Sequence, residues 1–219
     1  MGFEICRQLA SSGLTVVLTA RNETRGAEAV DRLRGLGLPD VVFHQLDITE
    51  PASAARLADF VRSKFGRLDV LINNAGILGV TMEVGDEAAI KEMLADMDDM
   101  EKLEWIRKHT TEPYDKAKEC LITNYHGTKI VTEALLPLLQ FSSHGRVVNV
   151  SSDFGLLREL NNIDSLSVQR LDELSEFFLK DFKNGQLEPH GWPTEGGYPA
   201  YKVSKALTML IRESLQTST

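Results

Sequence analysis

A chain of 219 residues with 42% hydrophobic content is long enough for one well-buried core and too short to need two. Its net charge of −8 argues against a general nucleic-acid surface, because phosphate binding wants clustered Lys and Arg. No apolar run reaches the roughly 18 residues that span a bilayer, so no membrane association is expected.

The elements alternate along the chain. Phe3, Ile5, Cys6, Leu9 and Ala10 recur at helical spacing, and Gly13 is placed to end that helix. Leu14 to Leu18 is a short apolar run, as expected of a strand covered on both faces. A helix over Glu23–Arg34 follows, capped by Asn22 and closed at Gly35 and Gly37. Val41–Leu46 reads as a strand, Ala52–Phe65 as a helix and Leu68–Ile72 as a strand. A long helix over Cys120–Leu139, a strand over Arg146–Val150 and a last helix from Ala200 complete the pattern. Strands separated by single helices imply parallel pairing through right-handed crossovers, hence an α/β, Rossmann-like doubly wound sheet with helices on both faces.

Two segments, about 79–115 and 156–198, exceed ordinary βα loops and read as insertions in one domain spanning 1–219. The first holds most of the acidity: from Glu83 to Asp115 there are eleven acidic against four basic residues. It also holds Met82, Met93, Met97 and Met100, which suit either a lid over a hydrophobic substrate or a plain amphipathic helix. Both cysteines, Cys6 and Cys120, sit in helical patterns without metal-ligand spacing. That pattern, with no basic-then-apolar leader at the N-terminus, predicts a reducing, cytoplasmic setting.

The chemistry gathers at strand ends and on the last helix. Tyr201 and Lys205 stand four apart and share a helix face. A free tyrosine has a pKa near ~10, and a neighbouring ammonium can lower it by roughly 1–3 units. Such a pair can donate a proton to a carbonyl oxygen, although the spacing alone occurs by chance on many exposed helices. Ser151 and Ser152 follow a buried strand, and Asn74-Ala75-Gly76 ends another, at the edge where open α/β sheets bind ligands. Turn chemistry alone also favours Ser, Asn and Gly at such places. Asn124 puts an amide on the apolar face of its helix, where it needs partners and is expected to break the helix locally.

Taken together, Asn73-Asn74-Ala75-Gly76, Asn124 with Gly127, Val148-Asn149-Val150-Ser151-Ser152 and Tyr201-x-x-x-Lys205 resemble the motif set of short-chain dehydrogenases/reductases. The resemblance implies a general acid at Tyr201, an activating and ribose-binding ammonium at Lys205, a carbonyl-binding hydroxyl at Ser152 and a water-holding amide at Asn124. It also implies a cofactor lined by Gly2, Arg21, Arg25, Asp47, Ile48, Asn74, Ala75, Gly76, Tyr201 and Lys205. Ala20 stands where NAD-using members carry an acid, and Arg21 and Arg25 suit a 2′-phosphate, so NADPH is expected. The substrate would be a small hydrophobic carbonyl compound or alcohol, with no metal.

Tyr201 lies 49 positions after Ser152, which resembles the monomeric carbonyl reductases and the plant salutaridine and menthone reductases. That likeness implies a monomer. The family's opening strand and T-G-x-x-x-G-x-G turn have only Gly2 as a counterpart, and its last strands are not matched after Thr219. The chain is therefore expected to be a shortened family member, weak in cofactor binding and stability. Two other readings stand beside the reductase: a catalytically silent remnant that binds a partner, and an extended relative acting on nucleotide sugars, which the Asn73–Gly76 motif disfavours.

Overall fold

The computed structural model describes residues 1–82, 87–152 and 167–216. In chain order they form α1 (Gly2–Ser11), β1 (Val16–Ala20), α2 (Glu23–Gly35), β2 (Val41–Gln45), α3 (Pro51–Phe65), β3 (Val70–Asn73) and β4 (Thr81–Met82). There follow α4 (Glu87–Ala95), α5 (Asp99–Lys108), β5 (Thr110–Thr111), α6 (Tyr114–Leu121), a π-helical turn (Ile122–Gly127), α7 (Thr128–Gln140), β6 (Arg146–Asn149), α8 (Val168–Lys183) and α9 (Pro199–Gln216). The start of the second expected insertion, residues 156–166, lies outside the described residues. No helix among the described residues is long and apolar enough to cross a membrane. The chain divides into two compact units, Met1–Gly76 with Thr123–Val150, and Ile77–Ile122 with Ser151–Thr219.

The first unit is built on parallel pairs. β1 pairs with β2 from Val16 opposite Val41 to Ala20 opposite Gln45, and β3 pairs with β6 from Val70 opposite Arg146 to Asn73 opposite Asn149. The connecting helices start and stop on local signals. Asn22 accepts the Arg25 N–H at the head of α2, and Pro51 opens α3, where its missing N–H costs nothing. Gly66 ends α3 with a φ of 76°, which favours glycine. One apolar cluster joins Ala10, Val16, Leu18, Val30, Leu33 and Val41; another packs Leu57, Ala58 and Val61 of α3 against Leu71, Val131, Leu135 and Leu138.

Two strands begin later than their apolar runs suggest. The Leu14 N–H bonds back to the Leu9 carbonyl, so Leu14 closes α1 and is 45% exposed. The Leu68 N–H likewise goes to the Leu138 carbonyl at the end of α7. The expected long helix begins at Tyr114 rather than Cys120 and is interrupted at Asn124, as its buried amide foretold. A π-turn inside a helix is rare and often marks a functional site.

β1 and β3 do not pair: among the described residues the four strands make two separate two-stranded sheets. Between them runs a cleft of ≈ 740 Å³, walled by residues including Phe3, Cys6, Leu18, Leu71, Ile72 and Val131. One five-residue strand with its side chains occupies about 4.8 × 10 × 17 Å, or roughly 800 Å³. The cleft is thus of the order of one strand in size, and its flanking strands do not pair across it.

In the second unit β4 and β5 form a short antiparallel pair, and α6 and α8 pack on α9. Asp98 and Glu101 make a reciprocal capping box at the head of α5. Leu171 and Phe178 of α8 and Ala200, Val203 and Leu207 of α9 are fully buried. Beyond α8 the chain is tied back by the buried Asp181 carboxylate, which accepts from Trp192 Nε1 at 2.8 Å and bonds His190 Nδ1 at 2.7 Å.

Asn73 joins β3 to its neighbours, its Nδ2 donating to Asn149 Oδ1 at 2.8 Å and to Thr132 Oγ1 at 3.0 Å. Asn73→Ala should lower the unfolding free energy by about 1–3 kcal/mol. Urea denaturation checks this; an unchanged midpoint would show that the two acceptors find other donors.

Candidate active site

Parallel pairing sends β1, β2, β3 and β6 to the same kind of ending, where Arg21, Asp47 and Asn74 leave the ladder and the Val150 N–H makes its last bond, to the Asn73 carbonyl. Of the expected cofactor residues, Gly2, Arg25, Ile48, Asn74 and Ala75 line the cleft of the first unit together. At Gly2 a Cβ would come within 2.9 Å of Asn74 Nδ2, so a side chain there would push the Asn74 amide aside. Gly127 is similarly flush against Ile48, whose Cγ1 lies 2.8 Å from where a Cβ would stand. Asp47 folds its carboxylate into a local turn, accepting from the Thr49 N–H at 3.0 Å and Thr49 Oγ1 at 2.7 Å. Arg21 and Gly76 are exposed and do not line the cleft, and Arg21 is held through its carbonyl, which accepts from Gln45 Nε2. Asn124 is 1% exposed within the π-turn.

The second unit holds Ser152, Tyr201 and Lys205. Lys205 Nζ lies 5.7 Å from the centroid of the Tyr201 ring, one helical turn away. The lysine is 6% exposed, and burial pulls its ammonium below the ordinary lysine range. Ser204, fully buried between them in sequence, donates to the Tyr201 carbonyl at 2.8 Å and lies 3.6 Å from Cys120 Sγ. Cys120 also donates to the Ile77 carbonyl, and burial pushes its thiol up to about 12, which makes it inert near neutral pH. Ser152 is half-buried, and the neighbouring Ser151 hydroxyl is buried without a hydrogen-bond partner among the described residues. Met82, Met93 and Met100 of the first insertion are exposed.

Sequence reasoning missed the support of α9. Arg107 Nε donates to the Gly196 carbonyl at 2.8 Å, Thr110 Oγ1 and the Tyr198 hydroxyl are 3.0 Å apart, and Glu112 Oε1 accepts the Ala200 N–H at 3.2 Å. These pairs are separated by 88 or 89 positions, so no local periodicity signals them.

The first unit holds a cleft at its strand ends, and the second unit holds a helix carrying Tyr201 and Lys205 on one face. The short chain dehydrogenase family model matches residues 1–163. The chain belongs to this family. It is 46% identical over 217 residues to short-chain dehydrogenase/reductase 1 of Saponaria officinalis, covering 94% of this chain and 69% of that protein. Among solved structures it is similar to salutaridine reductase from Papaver somniferum, with a TM-score of 0.88 and 41% identity over 99% of this chain and 78% of that one. Menthone neomenthol reductase from Mentha piperita gives a TM-score of 0.81 and 40% identity over 99% and 81%. Carbonyl reductase (NADPH) 3 of Mus musculus is 40% identical over 97% of this chain and 69% of that protein. The chain thus spans about seven tenths of the length of these curated relatives.

Because the folded-state Lys205 value lies below the ordinary one, the folded protein binds this proton less well than the unfolded chain. The resulting penalty on stability is present at neutral pH and lifts as pH rises from the lowered value toward 10.5. Lys205→Met should therefore melt at or above the wild-type temperature at pH 7. Calorimetry checks this, and a fall of more than about 4 °C, roughly 1 kcal/mol at this chain length, would show the ammonium to be a net stabiliser.

Proposed function

We propose that this protein is an NADPH-dependent reductase of a carbonyl group on a small hydrophobic molecule, working also in the reverse direction as an alcohol dehydrogenase. The observation that carries the reading is the buried Lys205 ammonium held 5.7 Å from the Tyr201 ring on one face of α9. In this reading Tyr201 Oη donates a proton to the carbonyl oxygen, and Lys205 favours the phenolate left behind. The Ser152 hydroxyl donates to the same oxygen and fixes its direction. Asn124, buried within the π-turn, holds a water from which the proton is replaced.

NADPH, when bound, supplies the hydride. Residues that would hold it are Gly2, Asp47, Ile48, Asn74, Ala75, Gly76, Tyr201 and Lys205, with Arg21 and Arg25 for the 2′-phosphate. The fit is supported by the close approach of Gly2 to the Asn74 amide and by five of these residues lining one cleft. A similar protein with NADPH in its name, and relatives named for the reduction of salutaridine and menthone, support the cofactor and the substrate class. We read the two compact units as one nucleotide-binding domain with two insertions, in a cytoplasmic monomer. Turnover by the 219-residue chain is expected to be low, because the inner edges of β1 and β3 are not held together. That strand-wide cleft favours one other reading, a catalytically silent protein that binds a partner segment.

Steady-state kinetics with both cofactors test the cofactor assignment. NADPH should give the higher kcat/KM, and Arg21→Ala should reduce it by about 10- to 100-fold, the range of one charged hydrogen bond. NADH kinetics should be unaffected by that change. Equal kcat/KM for the two cofactors in wild type would refute NADPH specificity.

A further inference from the structure

The start of α9 lacks the usual local cap. A helix leaves its first N–H groups without intrahelical partners, and here the first residue, Pro199, has none to offer. The residue before it, Tyr198, has no short polar side chain, and its hydroxyl is paired with Thr110. The next two N–H groups, of Ala200 and Tyr201, both reach the Glu112 carboxylate, the Ala200 bond being 3.2 Å. We propose that Glu112 is a positioning residue for Tyr201: its carboxylate is the N-terminal cap of α9, supplied from a distant part of the chain, and it fixes the backbone from which the tyrosine projects. The proposal rests on the reading of Tyr201 as the proton donor.

The approach to the helix shows why such a cap is needed. Gly196, Gly197 and Tyr198 hold φ values of 76°, 75° and 57° in succession. A tyrosine in the left-handed region is strained and persists only where its surroundings over-determine it. Arg107, Thr110 and Glu112 bind Gly196, Tyr198 and Ala200 respectively, so one short segment grips every second residue of this run. A carboxylate at a helix N-terminus is also favoured by the helix dipole.

The cap titrates near neutrality. Burial pushes the Glu112 carboxyl up to about 7, against the opposing pull of the Ala200 and Tyr201 N–H groups and of the Lys202 ammonium on α9. Cys120 of α6 also faces it, while Arg107 of α5 and Glu195 act on Lys202. A charged acceptor binds N–H groups more strongly than a neutral one, so the seat tightens as pH rises through about 7. Global stability moves the other way. With the folded value raised above 4.5, the group's contribution falls as pH rises between 4.5 and about 7. Local protection and global stability therefore have opposite slopes, which separates positioning from a merely structural role.

The test is amide hydrogen exchange at Ala200 and Tyr201 of the whole chain between pH 6 and 8, corrected for intrinsic rates, with kcat measured alongside. Glu112→Ala should reduce protection at these two amides about 5- to 10-fold, the loss of a helix cap expressed as local opening. Amides in the middle of α8 should be unchanged. Glu112→Gln, which keeps an acceptor oxygen, should restore most of the protection and remove its step near pH 7. Where wild type turns over, kcat should follow the protection while KM for NADPH stays constant. Unchanged protection at Ala200 and Tyr201 in Glu112→Ala overturns the proposal whatever the turnover. A wild-type chain with no turnover refutes the reductase reading, and exchange still decides whether Glu112 seats the helix.

Discussion

In the proposed reading Lys205 works as an ammonium while almost wholly removed from water, and on that reading the packing of the second unit has to hold it there. Desolvation works against the charge, so the helix carrying it has to be fixed by interactions elsewhere. α6 and α8 supply apolar burial along α9, with Ala200, Val203, Ala206, Leu207 and Ile211 all inward. Ser204 ties the Tyr201 carbonyl to the Cys120 side of α6. If Tyr201 and Lys205 act as proposed, stability is spent here on holding one cation beside one phenol, as is usual where function and folding pull apart.

The first unit depends on a different constraint, the parallel register of its strands. Val70 opposite Arg146 brings Asn73 opposite Asn149, and the bond between their side chains then ends both strands at one level. Asn74 and Ala75 leave the sheet at that level, close to Gly2 at the head of α1. The cleft between β1 and β3 interrupts this order. It leaves Gly2, Arg25, Ile48, Asn74 and Ala75 on the walls of the opening, which in the proposed reading is the physical reason for expecting weak cofactor binding.

Much of this was legible in the residues. Asn22, Gly13 and the apolar runs marked α1, α2 and the strands, because their signals are local: a short polar cap, a left-handed glycine, a covered face. Asn124 announced the break in its helix because an amide on an apolar face conflicts with the surrounding pattern. The same patterns misplaced the starts of β1 and β3, since Leu14 and Leu68 are apolar and yet bond back to helix carbonyls. The first insertion was legible as unusual in length and charge, but not as the support of α9. Glu112 lies among ten other acids in its segment, and only the fold distinguishes it by bringing Ala200 and Tyr201 to it.

The account stands on Tyr201 as the proton donor, and removal of its hydroxyl alone addresses that directly. NADPH oxidation against a hydrophobic ketone such as menthone would be followed for wild type and Tyr201→Phe, with NADPH binding measured by fluorescence on both. Turnover should fall by about 100-fold or more, the contribution of a general acid, while the dissociation constant for NADPH stays within about twofold, or about 0.4 kcal/mol, since the change removes the proton donor and keeps the ring. A Tyr201→Phe protein that turns over at the wild-type rate would contradict the account, because another group would then be carrying the proton.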